Sequence, residues 1–144
     1  MAILHHLPAG IDWERPADLS DHAVITRLSP PAIKAFFKIC ELWQMRDEDA
    51  RLALGGISHG AFYELKRKGR PVLDQDRLTR ISLLAGIFKA LNILYSKKLA
   101  DHWPQLPNAN PMFEGASPLQ YMLRGGLPAM IRVRQLLDAR RGGV

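Results

Sequence analysis

The sequence predicts an all-α protein, and three observations carry that prediction. Apolar residues recur at spacings of three and four, as in Ile33, Phe36, Phe37, Cys40 and Trp43, and again in Leu78, Ile81, Leu84, Ala85, Phe88 and Leu91. Serine–proline steps and glycine pairs punctuate these stretches at the places where helices begin and end. No segment alternates apolar and polar residues in the manner of a half-buried strand. With 144 residues, 47% hydrophobic and 24% charged, the chain is long enough for one ordinary domain or two small ones sharing an interface.

Residues 1–22 hold no sustained period and include Pro8, Gly10 and Pro16, so they read as a poorly ordered arm. The first helix is expected at Ser29-Pro30, where serine can cap free amides and proline forfeits no hydrogen bond. Asp47, Glu48 and Asp49 suit the first turn of a short second helix, because acids there complement the helix dipole. Leu52 and Leu54 are its expected apolar groups. Gly55-Gly56-Ile57-Ser58 ends it and starts a third helix, with Ala61, Phe62 and Leu65 facing inward, that runs out near Lys68-Gly69-Arg70-Pro71.

Asp74 caps a long helix expected from Gln75 to about His102, whose stripe reaches Leu99 and is widened by Ile87 and Leu94. A surface helix needs only one narrow stripe, so this one either joins two halves or packs on a second subunit. Trp103-Pro104 stops it, and Gln105 to Pro111 reads as a loop. Ser117-Pro118 opens a short helix through Leu119, Met122 and Leu123, ended by Gly125-Gly126. Leu127-Pro128 opens the last helix, with Met130, Val133, Leu136 and Leu137 inside and Arg132, Arg134, Arg140 and Arg141 largely outside.

Charge is unevenly spread. Residues 1–57 carry 6 basic and 8 acidic side chains, residues 58–98 carry 9 and 3, and residues 99–144 carry 5 and 3. The whole excess of +6 therefore equals that of the middle segment, a field that suits a polyanionic partner or else a solvated basic face.

Other classes fit less well. The longest nearly apolar run, Ile81 to Phe88, is far too short to cross a bilayer, and the first residues lack a signal peptide's pattern. A single cysteine excludes an internal disulfide framework and suits the reducing cytoplasm. Cys40 lies on an apolar face and reads as a small buried hydrophobe rather than a nucleophile. The histidines, at 5, 6, 22, 59 and 102, have no metal-binding spacing on a helix. The glycine pairs at 55–56, 125–126 and 142–143 lack the lysine and hydroxyl of a phosphate-binding loop. No catalytic residue, metal or cofactor is expected.

Three short helices with a glycine turn before the third form the helix-turn-helix arrangement, and Gly56-Ile57-Ser58 resembles its Gly-Val-Ser turn. Leu52 stands where a small alanine is common. On this reading Ser58, His59, Gly60 and Tyr63 begin the exposed side of a recognition helix and face base edges, while Lys66, Arg67, Lys68 and Arg70 meet phosphates.

Farther along, Trp103 precedes Asn110-Pro111-Met112-Phe113-Glu114-Gly115-Ala116-Ser117-Pro118-Leu119. This segment resembles the Asn-x-x-Phe-Gly-Gly-x-Ser-Pro-Leu-like stretch of the toxin-binding domain in Xre/MbcA/ParS-type antitoxins. Leu78-Thr79-Arg80-Ile81 and Gly86 to Leu91 resemble that family's connecting helix, so the likeness runs from about Ser29 to Val144. Glu114 departs from it where glycine is common, which implies that the backbone there need not take a glycine-only conformation. Trp103 and Phe113 read as buried anchors of the loop.

The resemblance implies an N-terminal arm at 1–22, an Xre-like helix-turn-helix domain at 23–88, and a toxin-binding domain at 89–144. It implies a cytoplasmic homodimer that binds operator DNA and forms a higher complex with a RES-class toxin that consumes NAD, without membrane or catalysis. The toxin would be met by Arg132, Arg134, Arg140, Arg141, Gly142, Gly143 and Val144. For residues 140–144 two readings stand: a frayed end, or a cationic plug for the toxin's pocket. Alternatives for the whole chain are an interaction module without DNA binding and a stand-alone transcriptional regulator.

Overall fold

Asp21 opens the first helix, its carboxylate accepting the Ala23 amide at 2.9 Å, and α1 runs His22–Leu42. The computed structural model describes residues 17–68 and 72–142, with Lys68 described only in its backbone. The expected arm thus lies outside the described residues as far as residue 16, and His22 is already helical.

The start expected at Ser29-Pro30 is corrected: both Pro30 and Pro31 lie inside α1. Each proline removes an amide donor, a cost that interior helix normally avoids. Here the extra turns are held by the Asp21 cap and by Ile25 and Leu28, which pack against the core. Ser29 is no cap. Its hydroxyl donates back to the Ile25 carbonyl at 2.7 Å and accepts the Leu73 amide at 2.9 Å.

The second helix, α2 (Asp47–Ala53), begins with its three acids as expected. Ala50, Ala53 and Leu54 are buried, while Leu52 is 46% exposed, against expectation. Spacings of three and four put residues 50, 53 and 54 on one side, and 52 falls away from it. Gly55 and Gly56 follow with φ of 86° and 81°, left-handed values that glycine adopts without steric penalty. Ser58 then accepts the Ala61 amide at 3.2 Å, and α3 runs His59–Lys68. Phe62 and Leu65 are buried on its back. Ala61, one residue off that side, is exposed rather than inward.

Asp74 caps α4 (Gln75–Leu94) by accepting the Arg77 amide at 2.8 Å. The long helix expected to reach His102 is instead two. Tyr95 is extended, Ser96 caps anew by accepting the Leu99 amide at 3.3 Å, and α5 spans Lys97–His102. Leu99 accordingly leaves the stripe and is largely exposed. A 3-10 turn at Trp103–Gln105 and another at Pro111–Phe113 lead into α6 (Pro118–Gly142). Gly126 interrupts α6 with φ 67° and ψ −149°, so the break expected at Gly125-Gly126 is present.

Helices α1 and α6 both pack along α4, which places Ile81, Leu84, Ile87, Phe88 and Leu91 at the centre of one core. The apolar stripe of α4 from Leu78 to Leu91 is therefore covered within the chain, while Ile93 at its end is exposed. The stripe gives no reason to invoke a second subunit. Among the described residues there is no strand, and no helix is long and apolar enough to cross a membrane.

Candidate nucleic-acid interface

Helix α3 is held from behind and open in front. Phe62 inserts towards α1, its ring 5.6 Å from that of Phe37, and Leu65 is buried one turn later. A helix fixed through residues 62 and 65 turns residues 60, 63 and 67 away from the core and leaves 59 and 66 on its flanks. Ser58, His59, Gly60, Tyr63, Lys66 and Arg67 are all exposed, and Tyr63 is 58% accessible. The expected face thus exists on one helix, although the Lys68 side chain and Arg70 lie outside the described residues.

Two of its cations are engaged. Lys66 Nζ lies 3.2 Å from Asp47 of α2 and 5.8 Å from the centre of the Phe62 ring. Arg67 forks onto both oxygens of Glu64 at 2.8 and 2.9 Å. Both pairs are solvent-exposed, where an ion pair contributes little and exchanges readily for a phosphate.

The sequence reading missed Arg51. Its Nε donates to the Ile57 carbonyl at 2.9 Å and its Nη1 lies 3.2 Å from His59 Nε2, so an α2 side chain braces the turn and the first residue of α3. No periodicity marks such a side-chain-to-backbone brace. Asp47, expected only as helix-start chemistry, has the added role of partner to Lys66.

The C-terminal residues behave differently. Arg134 lies across α4, where a Cβ on Gly86 would collide with its guanidinium, and it is bound by Asp138 at 2.9 Å. Arg140 donates to the Tyr95 hydroxyl at 3.1 Å, and Arg141 approaches Asp138 at 3.7 Å. Arg132 is exposed. Arg140, Arg141 and Gly142 belong to α6, so the flexible stretch expected from residue 140 is corrected. The contacts to Tyr95 and Asp138 carry the helix on. Gly143 and Val144 lie outside the described residues.

Trp103 and Phe113 are buried and meet edge to face at 6.2 Å, with Tyr121 against Phe113 at 5.2 Å, so they anchor the loop as expected. Glu114 takes φ 49° and ψ 41°, the left-handed region that glycine favours but that other residues also enter, so the position keeps a positive φ without a glycine-only conformation. With Gly115 also at positive φ, the chain turns back after the 3-10 turn and the Ala116 amide donates to the Phe113 carbonyl at 2.9 Å. Cys40 is buried, and desolvation pushes its thiol up to about 12, far from a nucleophile's range. A recess of about 490 Å³ between Gln44, Arg46 and Asp49 on one side and Gln105, Leu119, Gln120 and Leu123 on the other includes no α3 residue.

Residues 27–86 match the model of the antitoxin Xre-like helix-turn-helix domain, a span that begins in α1 and ends in α4. The chain is also 39% identical over 115 residues to a protein of Sinorhizobium fredii named "Uncharacterized protein y4oB", covering 79% of this chain and 87% of that one. No solved structure matches it. This chain belongs to one family with the Sinorhizobium fredii protein and carries an antitoxin Xre-like helix-turn-helix domain.

Proposed function

We propose that the protein is the antitoxin of a toxin–antitoxin pair, which binds its operator through α3 and neutralises a RES-class, NAD-consuming toxin through its C-terminal half. The observation that carries the DNA half is the exposed row from Ser58 to Arg67 on a helix whose back is fixed by Phe62 and Leu65. It coincides with the segment holding the chain's positive excess and with the matched domain. Operators for such proteins are two-fold, so we read the active species as a cytoplasmic homodimer, on that symmetry rather than on any uncovered apolar face. Residues 23–88 form the DNA-binding part and 89–144 the toxin-binding part. Inhibition needs no catalysis by this chain: Arg132, Arg140 and the residues through Val144 need only cover the toxin's entrance.

Pairing of Lys66 and Arg67 with carboxylates favours a second reading, an interaction module whose recognition helix no longer binds DNA. One experiment separates the two. The protein is co-purified with the product of the neighbouring gene, and its binding to duplex from its own promoter is titrated against salt. A dimer engaging about four to six phosphates gives a log–log slope of about −4 to −5, flattened in K66A/R67A. A slope unchanged in the double variant removes α3 from the DNA surface. If residues 140–144 are the plug, deleting them leaves the toxin complex assembled and restores toxin activity.

A further inference from the structure

We infer that Arg51 fixes the tautomer of His59 so that the imidazole presents an N–H donor to an acceptor-rich base edge, that of guanine. The inference rests on the operator-binding reading and adds to it which base the start of α3 reads. A guanidinium can only donate, so the 3.2 Å contact from Arg51 Nη1 obliges His59 Nε2 to accept. A neutral imidazole whose Nε2 accepts carries its proton on Nδ1. That is the less common form of a free histidine side chain, so Arg51 imposes it.

Arg51 is well placed for this. Its Nε is already held by the Ile57 carbonyl at 2.9 Å, and the Arg51 carbonyl accepts the Gly56 amide at 2.8 Å. The guanidinium is therefore fixed to the turn before it meets the ring. His59 is exposed and is the first residue of α3, the end of a recognition helix that reaches furthest into a major groove. Guanine offers N7 and O6 there as two adjacent acceptors with no donor, whereas adenine sets an amino donor beside N7, thymine a methyl beside O4, and cytosine an amino donor that would oppose Nδ1–H. Arg51 is thus a positioning residue, and His59 the one that touches the base.

The test uses the full chain, uniformly labelled with ¹⁵N, and a duplex library randomised through the operator half-site. Long-range ¹H–¹⁵N correlation at mildly alkaline pH, assigned with H59Q, shows His59 protonated on Nδ1 in the native protein and on Nε2 in R51M. Selection from the library yields a guanine at one position of each half-site, and R51M relaxes that preference about fivefold while the remaining positions hold. Because Arg51 also braces the turn, G56A serves as comparison: it strains the same turn without touching the ring, and it keeps both tautomer and preference. A native His59 protonated on Nε2 overturns the inference. So does the expected tautomer with no base preference lost in R51M, or an equal loss in G56A. If the native protein binds no duplex at all, the operator reading itself falls, and the tautomer measurement still reports whether Arg51 controls the ring.

Discussion

Helices α3 and α4 are consecutive, yet they stand in opposite relations to the rest of the chain. In α4, Ile81, Leu84, Ile87, Phe88 and Leu91 are buried by α1 and α6 from different sides, and only the two ends meet solvent freely. In α3, Phe62 and Leu65 alone are buried, and every other described side chain from His59 to Arg67 is exposed or half-buried. The difference teaches that this small domain divides its labour by helix. One is the shaft on which both halves are mounted, and the other is a display held by two side chains.

The sharpest way to break that comparison is Phe88→Ala. Phe88 is fully buried in α4, and truncation is expected to cost about 3–5 kcal/mol, lowering the urea midpoint by circular dichroism for the whole chain in one transition. A second transition, or loss confined to one half, would show that α4 does not couple them.

The pH dependence tests the seam beneath α3. Cys40 lies near enough to Lys66 and Asp47 to feel both charges, and burial pushes its thiol up to about 12 from an ordinary 9.0. The unfolded chain therefore loses this proton first as pH rises, and the folded state binds more protons. Stability is expected to be unaffected by this group below about pH 9 and to fall above it by up to about 1.4 kcal/mol per pH unit. Cys40→Ala removes that slope. Iodoacetamide labelling of Cys40 that proceeds much faster than global unfolding would mean that α3 opens by itself.

Gly86→Ala gives a smaller effect. The added methyl displaces only the far end of the Arg134 side chain, and alanine favours helix by about 1 kcal/mol, so the net change is expected to stay within about 1 kcal/mol. A larger loss in thermal denaturation would make Arg134 a structural keystone between α4 and α6. The smallest effect belongs to K66A/R67A, whose exposed pairs predict a stability change below about 0.5 kcal/mol. Were the double variant strongly destabilised, α3 would be part of the scaffold and not a display.

Much of this architecture was legible. Apolar spacing located α4 and the inner side of α1, and Gly55-Gly56-Ile57-Ser58 located the turn and the cap of α3. What escaped depends on groups distant in sequence. Pro30-Pro31 resembles a start signal, and only the packing of Ile25 and Leu28 carries the helix back to His22. Ser96 was masked as a cap because Leu91 and Leu99, eight residues apart, keep helical spacing across it. On the candidate face Gly60, Tyr63 and Arg67 followed from periodicity, opposite Phe62 and Leu65, whereas His59 and Lys66 lie on the flanks, three and four residues from Phe62. The partners of Lys66 and His59 did not follow from it, because Asp47 and Arg51 reach them from another helix. Likewise, Arg134 and Arg141 were outward by helical period, yet carboxylates and the bare backbone at Gly86 draw them onto the body.

The hydrogen bond from the Leu73 amide to the Ser29 hydroxyl spans 44 positions of chain and closes a loop containing all of α2 and α3. Its proton exchanges with solvent once the segment carrying Leu73 parts from Ser29 of α1. One amide thus acts as a clock for the contact that closes the display unit. In native-state hydrogen exchange its protection gives the free energy of opening that contact, and that of Phe88 gives the free energy of opening the shaft. The gap between the two rates expresses in time the same division of labour that burial expresses in space.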